Sequence, residues 1–278
     1  MVQQASDVVW GEFYAYSATI AAIPTTAAGV GLAYTTVEIR IDSDADFQFL
    51  KTSYYSTNDN AECYIRFKDD TVGRYLMKTA TPLRNIAGRG LSLDNSGSYD
   101  FRPYIWPTGY IIRRATTFTV EIANSHATIS PTIYLTFHGL KMRPGLAPWK
   151  KPGTTKLPYV YTLPKSSNTS PDGVYTIPAN QTASISVSTD KDSNFVCKKI
   201  TGSAQGEVLI TAQDAGRDRQ WMNTGVEGRN FLGSGSFPNV LAAPRWVQRG
   251  SVVSFTIQDL SGASNNVSLN MIGEKIFG

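Results

Sequence analysis

The block Arg84-Asn85-Ile86-Ala87-Gly88-Arg89-Gly90 returns as Arg229-Asn230-Phe231-Leu232-Gly233-Ser234-Gly235, about 145 residues further along a chain of 278. A repeat at that distance restricts the fold strongly, because each copy has to close its own core along one shared backbone path. The flanks repeat in the same order. Val37-x-Ile39-x-x-Asp42-x-Asp44-x-Asp46-Phe47 answers to Ile185-x-Val187-x-x-Asp190-x-Asp192-x-Asn194-Phe195, and Lys51 to Lys199. Tyr14-Ala15-Tyr16 answers to Tyr159-Val160-Tyr161, and Thr117-Phe118-Thr119-Val120-Glu121 to Ser254-Phe255-Thr256-Ile257-Gln258. The halves close alike, with Ile133-x-Leu135-x-Phe137-x-Gly139-x-Lys141-Met142 matching Val267-x-Leu269-x-Met271-x-Gly273-x-Lys275-Ile276. Constant order with drifting spacing implies an internal duplication with variable loops. The expected organisation is an N-terminal arm (1–12), a first domain (13–142), a basic Pro-rich linker (143–158) and a second domain (159–278), each domain within the ordinary size range.

The repeated unit reads as all-β. Apolar residues alternate with polar ones: Val37, Ile39 and Ile41 share one face, and Ile133, Leu135 and Phe137 another. Such runs argue for strands buried on one side. Strands are expected over 34–41, 47–54, 62–67, 75–79, 116–122 and 132–142, separated by Asp-, Asn- and Gly-rich turns. No stretch keeps a 3.6-residue period for three turns. Seven or eight strands per half make an antiparallel β-sandwich or jelly roll, so the fold class is two tandem sandwiches related by duplication. Charged residues are only 17% of the chain, against a usual quarter, which fits a surface that meets other protein.

Several classes are excluded or disfavoured. Cys63 and Cys197 fall at non-matching positions without a nearby Cys or His, and read as two buried free thiols. The first residues carry no basic and apolar signal region, and no apolar run is long enough for a membrane helix. His126 sits in a turn-like stretch; His138 lies on the closing strand, where the second half has Ile272. With two histidines and no hydrolase, zinc-protease or phosphate-loop pattern, no enzyme and no cofactor are expected.

Four groups of residues stand out. Arg84, Asn85, Gly88 and Gly90, with Arg229, Asn230, Gly233 and Gly235, read as one structural corner made twice, since no helix or Lys-Ser/Thr follows to bind phosphate. Asp42, Asp44 and Asp46, with Asp190 and Asp192, sit at alternate positions where carboxylates can converge on a hard cation. The competing reading is a tight turn whose acids cap backbone amides. Between Glu121 and Asp172 there is no acidic residue, so Lys141, Arg143, Lys150, Lys151, Lys156 and Lys165 form a basic middle. The basic middle reads either as a solvated linker or, for all of these but Lys165 together with Trp10 and Trp149, as assembly contacts or non-specific contact with packaged nucleic acid. Tyr54, Tyr55, Tyr104, Trp106 and Tyr110 are the aromatic patch to consider for carbohydrate.

The Asp-x-Asp-x-Asp-Phe block, the Arg-Asn-x-x-Gly-x-Gly corner and the closing strand Asn270-Met271-Ile272-Gly273-Glu274-Lys275-Ile276-Phe277 together resemble a group of bacteriophage virion structural proteins. The size and tandem organisation also resemble the small double jelly-roll capsid proteins of icosahedral phages. The resemblance implies a virion protein made in the host cytoplasm, a major or decorating capsid component that assembles with copies of itself and other virion proteins. A collar, spike or receptor-binding role using exposed aromatics is the alternative it leaves open.

Overall fold

The computed structural model describes residues 9–26, 32–58, 61, 63–76, 80–83, 87–89, 104–144, 155–164, 174–233 and 238–277. The first half contains β1 (Val9–Ile20), β2 (Tyr34–Arg40), β3 (Phe47–Ser56), β4 (Cys63–Asp69), β5 (Arg74–Tyr75), β6 (Thr81–Pro82), β7 (Gly88–Arg89), β8 (Tyr104–Ile112), β9 (Thr117–Asn124) and β10 (Ile133–Pro144). The second half contains β11 (Thr155–Thr162), β12 (Val174–Ile177), β13 (Thr182–Ser188), β14 (Asn194–Ala204), β15 (Val208–Asp214), β16 (Arg219–Gln220), β17 (Val226–Glu227), the one-turn helix α1 (Gly228–Phe231), β18 (Asn239–Val247), β19 (Val252–Asp259) and β20 (Asn265–Phe277).

Each half is a jelly roll. In the first, β1-β10-β3 continues to β8 and β7, and faces a sheet in the order β2-β9-β4-β5 with β6 also on β4. In the second, β11-β20-β14-β18 with β12 on β20 faces β13-β19-β15-β16 with β17 on β15. The two halves therefore repeat one strand order. In each, two sheets bury their apolar faces against each other: Phe49, Phe67, Phe118 and Phe137 pack edge-on in the first core, and Phe195, Phe231, Phe255 and Leu269 fill the second.

The repeated sequence blocks acquire physical reasons. In both halves the closing strand meets a bulge on its neighbour: the register of β10 against β3 shifts at His138/Gly139, and that of β20 against β14 at Cys197/Lys199. The glycines sit there because a Cβ on Gly139 would lie 2.1 Å from the Gln48 carbonyl oxygen, and one on Gly273 would lie 1.9 Å from that of Val196. Asp46 and Asn194 also coincide. The first accepts a hydrogen bond from the Arg114 amide at 2.9 Å, and the second from the Arg249 amide at 3.0 Å. One residue later the chain enters the left-handed region, at Ala115 (φ 58°) and Gly250 (φ 67°). Alanine is strained there and glycine is not. Ala115→Gly is therefore expected to stabilise the chain by about 0.5–1 kcal/mol, read as a raised urea midpoint; an unchanged or lowered midpoint would show that unfolded-state entropy cancels the strain.

In the second half the corner is a single helical turn between the two sheets, and one hydrogen bond of the same spacing is present in the first half. Ala87 N–H donates to the Leu83 carbonyl at 2.9 Å, as Leu232 N–H does to Gly228 at 2.7 Å. Gly88 then pairs with Ser53 of β3, and Gly233 accepts from Gly202 of β14. Arg84, Asn85, Gly90 and Gly235 lie outside the described residues.

Two boundaries differ from expectation. Residues 9–12, read as arm, are the first part of β1 and pair with 141–144 of β10. Of the supposed linker, Arg143 and Pro144 end β10 and 155–158 open β11, leaving 145–154 outside the described residues. In each case the strand outruns the alternating sequence, because neighbouring backbone hydrogen bonds hold residues that carry no apolar pattern.

Candidate functional site

Two of the carboxylates weighed as cation ligands, Asp42 and Asp44, converge on a lysine. The Lys141 ammonium donates to Asp42 Oδ2 at 2.7 Å and Asp44 Oδ1 at 2.9 Å, and lies 3.9 Å from the centre of the Tyr14 ring. Tyr16 Oη accepts from the Asp42 amide at 2.9 Å. The second half rebuilds this clasp: Lys275 pairs with Asp190 and lies 3.9 Å from the Tyr159 ring, while Tyr161 Oη accepts from the Asp190 amide at 3.0 Å. Burial pushes the Asp44 carboxyl up, but Lys141 and Arg143 outweigh it and hold it below the ordinary range. Lys275 likewise holds Asp190 low. Asp46 pairs with Arg113, and Asp192 accepts from Ser193 Oγ. The Lys141 ammonium occupies the place between Asp42 and Asp44 where a cation would sit. The clasps fasten the first strand, the Asp turn and the last strand of each jelly roll, which is why Tyr-x-Tyr, Asp-x-Asp and Gly-x-Lys recur together.

Lys141 and Arg143 are accordingly not outward assembly residues. Lys141 is buried, and Arg143 turns inward to Asp44 at 2.9 Å and Glu12 at 3.5 Å. Trp10 is half-buried opposite Arg143, and Lys156 is exposed on β11. Trp149, Lys150 and Lys151 lie outside the described residues. The aromatic patch does not form one exposed platform: Tyr54 and Tyr110 pack on the first core, and Tyr55 is engaged between the halves. The side chains of Tyr104 and Trp106 are outside the described set. His126 Nδ1 accepts from the Thr128 and Ile129 amides and shapes a turn. Cys63 and Cys197 are buried and are not joined in a disulfide.

What the fold does assemble is a seam between the halves. The outer face of β1-β10-β3 is covered by the β16–β17 segment, α1 and β18 of the second half. The outward backbone groups of β1 find partners there. Ala15 N–H donates to Trp221 O at 3.0 Å and Asn223 N–H to Ala15 O at 3.2 Å; Ser17 N–H donates to Asn223 Oδ1, and Arg245 to Phe13 O. Second-half residues thus close the edge of a first-half sheet, which would otherwise template unwanted pairing. Phe13 and Ala15 belong to the second-half core.

Three polar islands lie along the seam. At one end Glu12, 0% exposed, faces three arginines: Arg219 at 3.2 Å, Arg245 at 3.3 Å and Arg143 at 3.5 Å. Arg245 is 1% exposed and also donates to the carbonyls of Arg219 and Gln220. Burial lowers it to about 10, which keeps it charged in neutral solution. In the middle His138, 1% exposed, hydrogen-bonds Ser53 through Nε2 at 2.8 Å, and Lys51 donates to the Val240 carbonyl at 2.7 Å. Burial and the Lys51 charge push His138 well below its usual value, so it is a neutral interior imidazole. At the other end Tyr55 donates to Glu207 Oε1 at 2.6 Å, with the Arg229 guanidinium 4.1 Å from its ring centre, and Asn230 donates to the Tyr134 carbonyl. The second copy of the Arg-Asn corner is therefore an inter-domain contact.

Sequence reading missed Glu227, and also Glu12, Arg219, Arg245 and Glu207, which have partners distant along the chain. A signal existed in the differences between the repeats. At matching outer-face positions the first half has Phe13, Ala15, Tyr55, Tyr134 and His138, and the second has Pro158, Val160, Ser203, Ser268 and Ile272. The larger aromatic residues Phe13, Tyr55 and Tyr134, against Pro158, Ser203 and Ser268, mark the covered face.

No protein-family model and no curated protein matches the sequence. Among solved structures, N-glycanase F (PNGase F) is 8% identical, with 95% of this chain and 95% of that chain covered and a TM-score of 0.25. A structure of Sulfolobus Turreted Icosahedral Virus is 11% identical over 94% of this chain, with a TM-score of 0.25; the match spans 60% of the viral chain.

Proposed function

We propose that this chain is a non-enzymatic structural component of a bacteriophage virion, a major or decorating capsid protein that assembles with copies of itself. The observation that carries the reading is the seam. Two jelly rolls of one strand order are joined through a sealed sheet edge and buried ion pairs, which makes a two-domain building block from a chain whose repeated motifs resemble virion proteins. The polar groups brought together are spent on holding the halves, and the remaining exposed apolar side chains, Val72, Leu157 and Val160 among them, are scattered over both halves and available to neighbours. An aromatic glycan platform receives less support, because Tyr55 is committed to Glu207.

The test is the size of the purified protein, followed by sedimentation and negative-stain electron microscopy as concentration rises. Symmetric particles are expected, weakened when residues 1–8 are removed. The deletion stops at residue 8, because Glu12 holds the seam and its loss would confound the result. A monomer at every concentration, indifferent to the deletion, would sink the proposal.

A further inference from the structure

We propose that the seam between the halves is a proton-operated latch: it is held most firmly in mildly acidic solution and loosens towards pH 8, with Glu227 as the group that takes up the proton.

Glu227 ends β17 and caps α1, its Oε2 accepting from the Arg229 amide at 2.8 Å. It is 1% exposed, and its Oε1 is buried without a hydrogen-bond partner. The groups around it come from both halves. Arg229 of α1 lies beside it, Glu207 precedes β15, and Tyr55 of β3 and Tyr134 of β10 close the first-half side, their rings stacked 5.9 Å apart. Glu227, itself buried, thus shares a half-buried cluster with a second carboxylate and a single guanidinium. An ionised Glu227 would be a buried charge with a like neighbour, whereas a protonated one is neutral and gains a donor.

Burial, against the pull of Arg229 and with Glu207 adding to it, raises Glu227 to about 8. A carboxyl whose folded value is raised contributes stability fully below its ordinary value, and loses it as pH climbs through that value to about 8. His138 works in the opposite direction. Lys51 faces it from β3, while β1 presents Phe13 and Ala15; its folded value is depressed, so its contribution is lost as pH falls below its ordinary 6.5. Below 6.5 the two groups oppose each other. Lys51, lowered to about 8 by burial, acts only above that value. Between about pH 6.5 and 8 Glu227 titrates without opposition from His138, and the latch responds there.

Hydrogen exchange reads the seam directly through the amides of Ala15, Ser17 and Asn223, which donate across it. After correction for the intrinsic exchange rate, protection of these amides is expected to fall on the order of tenfold or more from pH 6 to pH 8, because a proton held only in the closed seam loses about a factor of ten in its hold for each pH step climbed towards the folded value. Amides inside β4 and β15 keep theirs. In Glu227→Gln the fall shrinks to less than about twofold. Equal protection at both pH values, or an undiminished fall in Glu227→Gln, overturns the proposal. If that variant fails to fold, carboxyl-selective NMR on the unmodified chain decides it: one glutamate titrating near 8 supports the latch, and none above about 6 refutes it. The measurement is made on the isolated chain, so its outcome is independent of whether particles form.

Discussion

Replacing Gly273 by alanine is expected to destabilise the chain by about 3–5 kcal/mol, in the range of the most damaging core substitutions. The added methyl would sit 1.9 Å from the Val196 carbonyl oxygen and 2.8 Å from its carbon, so it collides with backbone and not with a side chain that can turn away. Relief requires β20 and β14 to separate at their bulge, and this pair carries the centre of the second jelly roll. Gly139→Ala repeats the experiment in the first half, where the nearest atom is the Gln48 carbonyl oxygen at 2.1 Å. Chemical denaturation of both variants gives the measurement. A loss below about 1 kcal/mol in either would mean that the bulge relaxes freely and that the repeated glycine is not a steric requirement.

Glu12→Gln is expected to cost about 3–5 kcal/mol for a different reason. Removing one partner of a buried ion pair strands the others, and here Arg245, Arg219 and Arg143 would lose their shared counter-charge while Arg245 stays almost wholly buried. Glu274→Gln, which removes the more exposed Lys198–Glu274 pair, serves as comparison and should cost no more than about 1 kcal/mol. Pairing Glu12→Leu with Arg245→Met should recover part of the loss, because the most deeply buried cation goes with its partner, while Arg143 keeps Asp44 and Arg219 is partly exposed. Equal urea midpoints for Glu12→Gln and Glu274→Gln would show that water reaches the arginine cluster and that the seam is not sealed there. The same variant is expected to reduce protection of the Ala15 amide more than that of amides in β9, since it acts on the joint between the halves.

Much of the fold was legible in the chain. Alternation placed β2, β3, β4, β9 and β10, because a strand with one face on a core has to alternate. The repeated blocks marked matching local geometry: the Tyr-x-Tyr, Asp and Lys clasp, the Asp46 and Asn194 turn, and the glycine at the bulge. The acidic triplet was visible but its chemistry was not. Spacing allows three carboxylates to converge, yet whether a metal or an ammonium meets them depends on the closing strand, which lies about a hundred residues away in sequence and beside them in space. Two members of the basic middle, Lys141 and Arg143, differ from the expectation for a related reason. A count of lysines and arginines gives net charge but not direction, and Lys141 and Arg143 point inward.

An all-β chain in two similarly ordered halves can be read from the residues in line, because side-chain periodicity and the positions where only glycine fits are local properties that survive in linear text. Only the folded arrangement shows that the halves share a seam, that Glu12 meets three arginines there, and that the second Arg-Asn corner docks on Tyr55 and Tyr134. Those contacts join residues mostly far apart in the chain, and their strength comes from exclusion of water on all sides, a condition that no local pattern encodes.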